Sequence, residues 1–237
     1  GGEAGAVVTP AAARPVRPEG MRAAIAAAMS RSKREIPHYY LAHTVDLEPA
    51  LERLEARNAA RPITERVLPV ALLVRAVALA LREFPELCGF WRDGGFVPSP
   101  GIHVGLAVSL REGGLVAPAI HDADRGSLSE LFAKIRDVTR RARSGQLRSS
   151  EFSDAAITVT SLGDQGVEAV YGVIQPPQVA LVGAGQIAPR PWVVDGRVEA
   201  RRLVTLSLSA DHRVSDGHRG GRFLRRIDEH LQEVPAP

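Results

Sequence analysis

Residues 203–224 read LVTLSLSADHRVSDGHRGGRFL. Leu206 and Leu208 alternate with Thr205, Ser207 and Ser209, the period of two that buries one face of a strand. The alternation stops at Ala210-Asp211-His212. After Gly217, Phe223, Leu224, Ile227 and Leu231 recur at the spacing of a helix. His212 therefore falls in a strand-to-helix connection, where a rigid scaffold can present a side chain to a cleft. Asp216 and Gly217 follow it as H-x-x-x-D-G. Taken alone, that spacing also fits a histidine packed in a turn and an aspartate capping the next helix.

Working outward, 237 residues suit one large domain or two small ones, and the 45% hydrophobic content is ample for a core. The first residue is Gly1, which suggests a fragment or processed product. Thirty basic residues face 27 acidic ones, so the surface is mixed and not that of a nucleic-acid polycation. A single cysteine, Cys88, forbids an intrachain disulfide and fits a reducing, cytoplasmic setting. The most apolar run, Pro69 to Leu81, carries Arg75 and is too short for a bilayer, and no zinc-binding spacing occurs.

Residues 1–20, rich in Ala, Pro and Gly, read as a linker ahead of one domain over 21–237. Helices are expected over Met21–Ser32, Leu47–Asn58 and Leu68–Glu83, the last nearly fully buried. Ser127-x-x-Glu130 is a capping box opening an amphipathic helix that ends near Ser144-Gly145. The basic run Thr139–Arg143 on its last turn is accounted for by solvent and the helix dipole. Strands are expected at Phe90–Arg92, at Ile102–Leu110 with Leu115–Ile120 across a Glu112-Gly113-Gly114 turn, at Ala155–Ser161 and at Val179–Val182. A last hairpin turns over Asp195-Gly196 and leads back to His212. Helices alternating with hairpins predict an α/β fold, with a mixed, largely antiparallel central sheet covered by helices. Gly183-Ala184-Gly185 lacks the third glycine and following helix of a dinucleotide loop. His38 and His43 read as turn and strand residues with satisfied hydrogen bonds and no partner at useful spacing. His121, Asp122 and Asp124 read as a solvated loop.

The string S-x-S-A-D-H-R-V-x-D-G, followed by R-F-L, resembles the C-terminal motif of the dihydrolipoamide acyltransferases, the core (E2) components of 2-oxo acid dehydrogenase complexes. I-P-H-Y-Y-L at residues 36–41, T-S-L-G at 160–163 and P-P-x-V-A-L at 176–181 resemble the same family, so the likeness spans about residues 21 to 233. Cys88-Gly89 departs from the Asn-Ala that commonly follows F-P-E-L there. The resemblance implies a chloramphenicol acetyltransferase-like fold and acyl transfer between dihydrolipoamide and coenzyme A. It implies a catalytic hydroxyl at Thr160, with Ser161 as the alternative, and a coenzyme-binding role for Arg53, Ser161 and Gly185. It further implies homotrimers, with His212 of one subunit facing Thr160 of its neighbour. It implies assembly of such trimers into a 24- or 60-subunit core served by E1 and E3 enzymes. No lipoyl-type lysine sequence occurs here, so the lipoyl group is expected from a separate or removed domain.

The residue types suit that chemistry. Acyl exchange between thiols needs a base, and an imidazole titrates near neutrality. It also needs a donor for the oxyanion, which a threonine hydroxyl can be. Asp216 is counted with the active site, though its place favours holding the loop and capping the helix. No covalent enzyme nucleophile is needed. T-S-L-G resembles acetyl and branched-chain types more than the succinyl type. Two other readings stay open on sequence: a stand-alone coenzyme A-dependent acyltransferase with a small-molecule acceptor, and a non-catalytic scaffold core.

Overall fold

The computed structural model describes residues 19–110 and 114–233. All but Glu19 and Gly20 of the expected linker, and most of the Glu112-Gly113-Gly114 turn, lie outside them. Gly20 itself begins the first helix, α1 (Gly20–Glu35). The order continues β1 (His38–Asp46), α2 (Glu48–Ala59), α3 (Pro69–Ala80), β2 (Gly89–Arg92) and β3 (Gly95–Pro98). Next come β4 (Val104–Leu106), β5 (Val108–Ser109), β6 (Leu115–Val116), β7 (Ala119–Ile120), α4 (Leu128–Arg143) and α5 (Ser149–Ser153). The chain then forms β8 (Ile157–Ser161), β9 (Ala180–Ala184), β10 (Ala188–Val194), β11 (Arg197–Asp211) and α6 (Gly217–Glu233).

The main sheet runs β1-β11-β9-β8-β4-β7, with β10 also on β11. Among the described residues only β4–β8 and β8–β9 pair in parallel. The β4-to-β8 connection carries α4, the kind of long crossover that parallel neighbours require. The expected mixed, largely antiparallel sheet is therefore present.

Leu206, Leu208 and Ala210 of β11 are fully buried, as are Phe223 and Ile227 of α6. Each fully buried large aliphatic or aromatic side chain contributes about 1.5–3 kcal/mol, so the terminal strand–helix unit is a main part of the core. α3 is buried along nearly all its length, including Arg75, which donates to the carbonyls of Arg125 and Ser127 at 3.0 and 3.1 Å. α3 stops at Ala80, three residues before the expected end. The amides of Arg82 and Glu83 reach back only three residues, so the last turn tightens ahead of Pro85.

Two other expectations are corrected. The long hairpin of residues 102–120 is split, because Ala107 donates its amide to Val159 of β8 at 2.9 Å and leaves its partner strand. Thus β4 and β7 join the main sheet, while β5 and β6 form a separate pair. In addition, Arg141 within the basic run is not solvated. Its side chain is 13% exposed and forks onto Glu151, itself 5% exposed, and onto Asp137.

Candidate active site

β11 ends at Asp211, whose side chain is fully buried and fixes the turn beyond it. Its Oδ1 accepts the Arg213 amide at 2.9 Å, and both oxygens receive the Arg213 guanidinium at 2.6–3.1 Å. Its carbonyl accepts the amides of Val214 and Ser215 at 3.1 and 3.2 Å. Arg213 in turn lies 4.2 Å over the Trp91 ring. The His212 amide donates to the Pro37 carbonyl at 2.9 Å. This network leaves the His212 side chain exposed at the sheet's end. Its ring meets Tyr39 edge-on, with centroids 5.3 Å apart.

Asp216 caps α6. Its Oδ1 accepts the Arg219 amide at 2.9 Å, and its carbonyl takes the Gly220 amide at 2.8 Å. The Arg219 and His218 amides hold its carboxyl below the usual carboxylate range.

Thr160 lies near the end of β8, half-buried, opposite Gly183 of β9. Gly183 pairs with Ser207 of β11, five residues before His212. Five strand residues span roughly 17 Å, and two strand spacings about 10 Å. His212 and Thr160 of one chain are thus on the order of 20 Å apart, and a single copy does not bring them together.

Ser161 and Gly185 do share a cavity. It has a volume of about 520 Å³, with Leu47, Leu73, Val204 and Leu231 among its apolar lining. A side chain at Gly185 would strike the Glu168 carbonyl oxygen, 1.9 Å from where its Cβ would sit, so only glycine fits beneath that crossing segment. Ser161 is exposed, and its hydroxyl accepts the Gly163 amide at a long 3.5 Å. Arg53 does not line the cavity; it donates to the carbonyls of Leu231, which does, and of Gln232 at 3.0 and 2.8 Å, compensating the C-terminus of α6.

Other candidates have structural partners. Nδ1 of His38 donates to the Ile36 carbonyl and its Nε2 accepts the Ile174 amide, which fixes a neutral tautomer; burial holds its pKa below the usual value. His43, read as a strand residue with satisfied hydrogen bonds, meets Asp228 at 2.9 Å, a partner 185 residues away that spacing cannot reveal. His121 binds Asp154, and Asp124 binds Arg82. Among the described residues no group of three or more His, Cys, Asp or Glu is placed to hold a metal ion. Burial pushes the Cys88 thiol up to about 12, which removes it as a nucleophile near neutral pH. Sequence reasoning missed Tyr39, Trp91 and Ser215, which surround the His212 turn. Nothing in the I-P-H-Y-Y string says which tyrosine turns toward His212.

Comparison with known proteins adds the following. Residues 10–236 match the model for the 2-oxoacid dehydrogenases acyltransferase catalytic domain. A Bacillus subtilis protein, the lipoamide acyltransferase component of a branched-chain alpha-keto acid dehydrogenase complex, is 34% identical over 91% of this chain and 51% of its own length. A Zymomonas mobilis protein, the dihydrolipoyllysine-residue acetyltransferase component of a pyruvate dehydrogenase complex, is 31% identical over 93% of this chain and 50% of its own. The chain spans about half the length of the curated relatives it matches. The cubic core of a pyruvate dehydrogenase multienzyme complex superposes with a TM-score of 0.85 at 27% identity, covering 97% of this chain and 98% of the other. A chloramphenicol acetyltransferase shares the fold alone, with a TM-score of 0.53 at 14% identity over 86% of this chain and 94% of the other.

Proposed function

The chain belongs to the catalytic-domain family of the 2-oxoacid dehydrogenase acyltransferases, and from that premise we propose that it moves an acyl group between dihydrolipoamide and coenzyme A as the core of a 2-oxo acid dehydrogenase complex. The observation that carries the proposal is His212, held by its backbone in a rigid turn while its imidazole faces out.

In this reading His212 takes the proton from the attacking thiol, worth roughly 10²–10⁴ in rate. The new sulfur–carbon bond forms as the thioester carbonyl becomes an oxyanion. The Thr160 hydroxyl donates to that oxygen, at a value of roughly 10²–10³. Collapse breaks the old sulfur–carbon bond, and His212 returns its proton to the departing sulfur. Asp216 acts by holding the loop and capping α6. The apolar cavity beside Ser161 and Gly185 suits the arm of a thioester substrate, and Arg53 binds the carbonyl of Leu231 in its lining. Because Arg53 already serves two carbonyls, any contact it makes with a coenzyme phosphate is shared with α6.

The separation of His212 from Thr160 favours a site shared between copies. A homotrimer supplies that arrangement, and the likeness to a cubic core supports assembly of trimers into a larger shell. Partner E1 and E3 enzymes, a lipoyl domain carried elsewhere and a cytoplasmic location belong to the same proposal. An acetyl or branched-chain acyl group is favoured, in keeping with relatives of both kinds.

The test is thioester exchange, with acetyl-, isobutyryl- and succinyl-coenzyme A offered beside free dihydrolipoamide. Acyl-dihydrolipoamide from the first or second donor, lost in His212→Ala, is expected. Absence of transfer from all three by folded, assembled protein refutes the proposal and moves the assignment to a small-molecule acceptor or a scaffold.

A further inference from the structure

We propose that Tyr39 is the positioning residue for the His212 imidazole, an inference that rests on reading His212 as the catalytic base. Three contacts of one side chain carry it. Its ring meets the imidazole edge-on at 5.3 Å between centroids. Its hydroxyl shares a hydrogen bond with Ser215 Oγ at 2.8 Å, across 176 residues of sequence. Its outer edge lies against the backbone of α6 at Gly220, where a Cβ would come within 2.8 Å of the hydroxyl and 2.9 Å of the ring.

These contacts hold the phenol on separate sides. β1 supplies the ring, paired in register with β11 so that Tyr39 stands opposite Ala210, two residues before His212. The residue at the start of the same segment, Pro37, receives the His212 amide. One strand end therefore fixes both the backbone of His212 and the face against which its ring lies. Ser215 ties the phenol to the loop between His212 and α6, and the missing side chain at Gly220 leaves it room. An imidazole otherwise exposed to solvent can rotate among staggered positions. Misplacement of a reacting group by about 1 Å can cost about 10²-fold in rate. A ring wall tethered at its far end restricts that motion.

The experiment is steady-state thioester exchange by the assembled protein, with His212→Ala as reference. Tyr39→Leu is expected to lower kcat about 10²-fold, with KM for acyl-coenzyme A and for dihydrolipoamide close to the parent's. Tyr39→Phe keeps the ring and loses the tether, and Ser215→Ala loses the same tether from the other side. Each should lower kcat by about fivefold, and the double variant should be no slower than either single, because both remove one hydrogen bond. A parental kcat in Tyr39→Leu, or additive losses in the Tyr39→Phe/Ser215→Ala pair, overturns the inference. If Tyr39→Leu does not fold, the milder pair alone decides. If the parent transfers no acyl group, the base assignment fails separately, and the imidazole proton shifts of His212 decide the contact. Shifts moved by Tyr39→Leu through loss of the ring current support it, and unmoved shifts refute it.

Discussion

Asp216 accepts a backbone amide of α6, and Asp211, one residue before His212, accepts the Arg213 guanidinium. The aspartate inside the H-x-x-x-D-G spacing thus holds the helix, while the one outside it holds the turn. Spacing does not say whether Arg213 pairs with Asp216 or with another acid; in the structure its guanidinium binds Asp211. Replacing Asp216 by Ala should remove the cap and lower the melting temperature by a few degrees, whereas Asp216→Ser should retain most of it. Because its folded carboxyl titrates below the unfolded one, the cap contributes fully above about pH 4 and is lost as pH falls through the folded value. A thermal melt of Asp216→Ala against the parent should therefore show a gap at pH 7 that closes on acidification. His212 and Asp216 were legible because their motif is local. Tyr39 and Trp91 were not, because sheet register and loop packing bring them to the turn from far away in sequence.

Elements with a strong period were read correctly, with α4 the clearest case. Its Ser127–Glu130 capping box is reciprocal in the structure, and the helix ends at Arg143 with Ser144 as its cap. α5 was missed because Ser-Ser-Glu-Phe-Ser is too short and polar to show an apolar face. What holds it is Glu151, which accepts the Arg148 amide at 2.8 Å and the Arg141 guanidinium across the α4–α5 connection. That guanidinium holds the Glu151 carboxyl below its ordinary range. Glu151→Ala leaves Arg141 partly buried with only Asp137 as its acid, and should destabilise the protein by about 3 kcal/mol. Chemical denaturation at pH 7 measures this. The sign follows from the lowered folded pKa: the pair's contribution is present above the unfolded value of about 4.3 and disappears below it. The parent and the variant should converge in acid. An equal gap at pH 3 and pH 7 would mean that packing, not charge, accounts for the loss.

For the whole molecule, the fold class was legible from alternating helices and hairpins. The sheet order was not, because it depends on the crossover that places β8 between β4 and β9. That order is also what separates the two candidate catalytic groups. Thr160 lies near the C-terminal end of β8, which is parallel to β9, whereas His212 follows the end of β11, on the far side of β9 and running the other way. A site built from both therefore needs two copies of the chain. The most direct test is to unfold His212→Ala and Thr160→Ala together, refold them as an equal mixture and measure acyl transfer. In a randomly mixed ring, about one quarter of the shared sites would pair an intact His212 with an intact Thr160. Recovery towards one quarter of parental activity, far above either variant refolded alone, is the expected result. A mixture no more active than the average of the two variants would contradict a shared site.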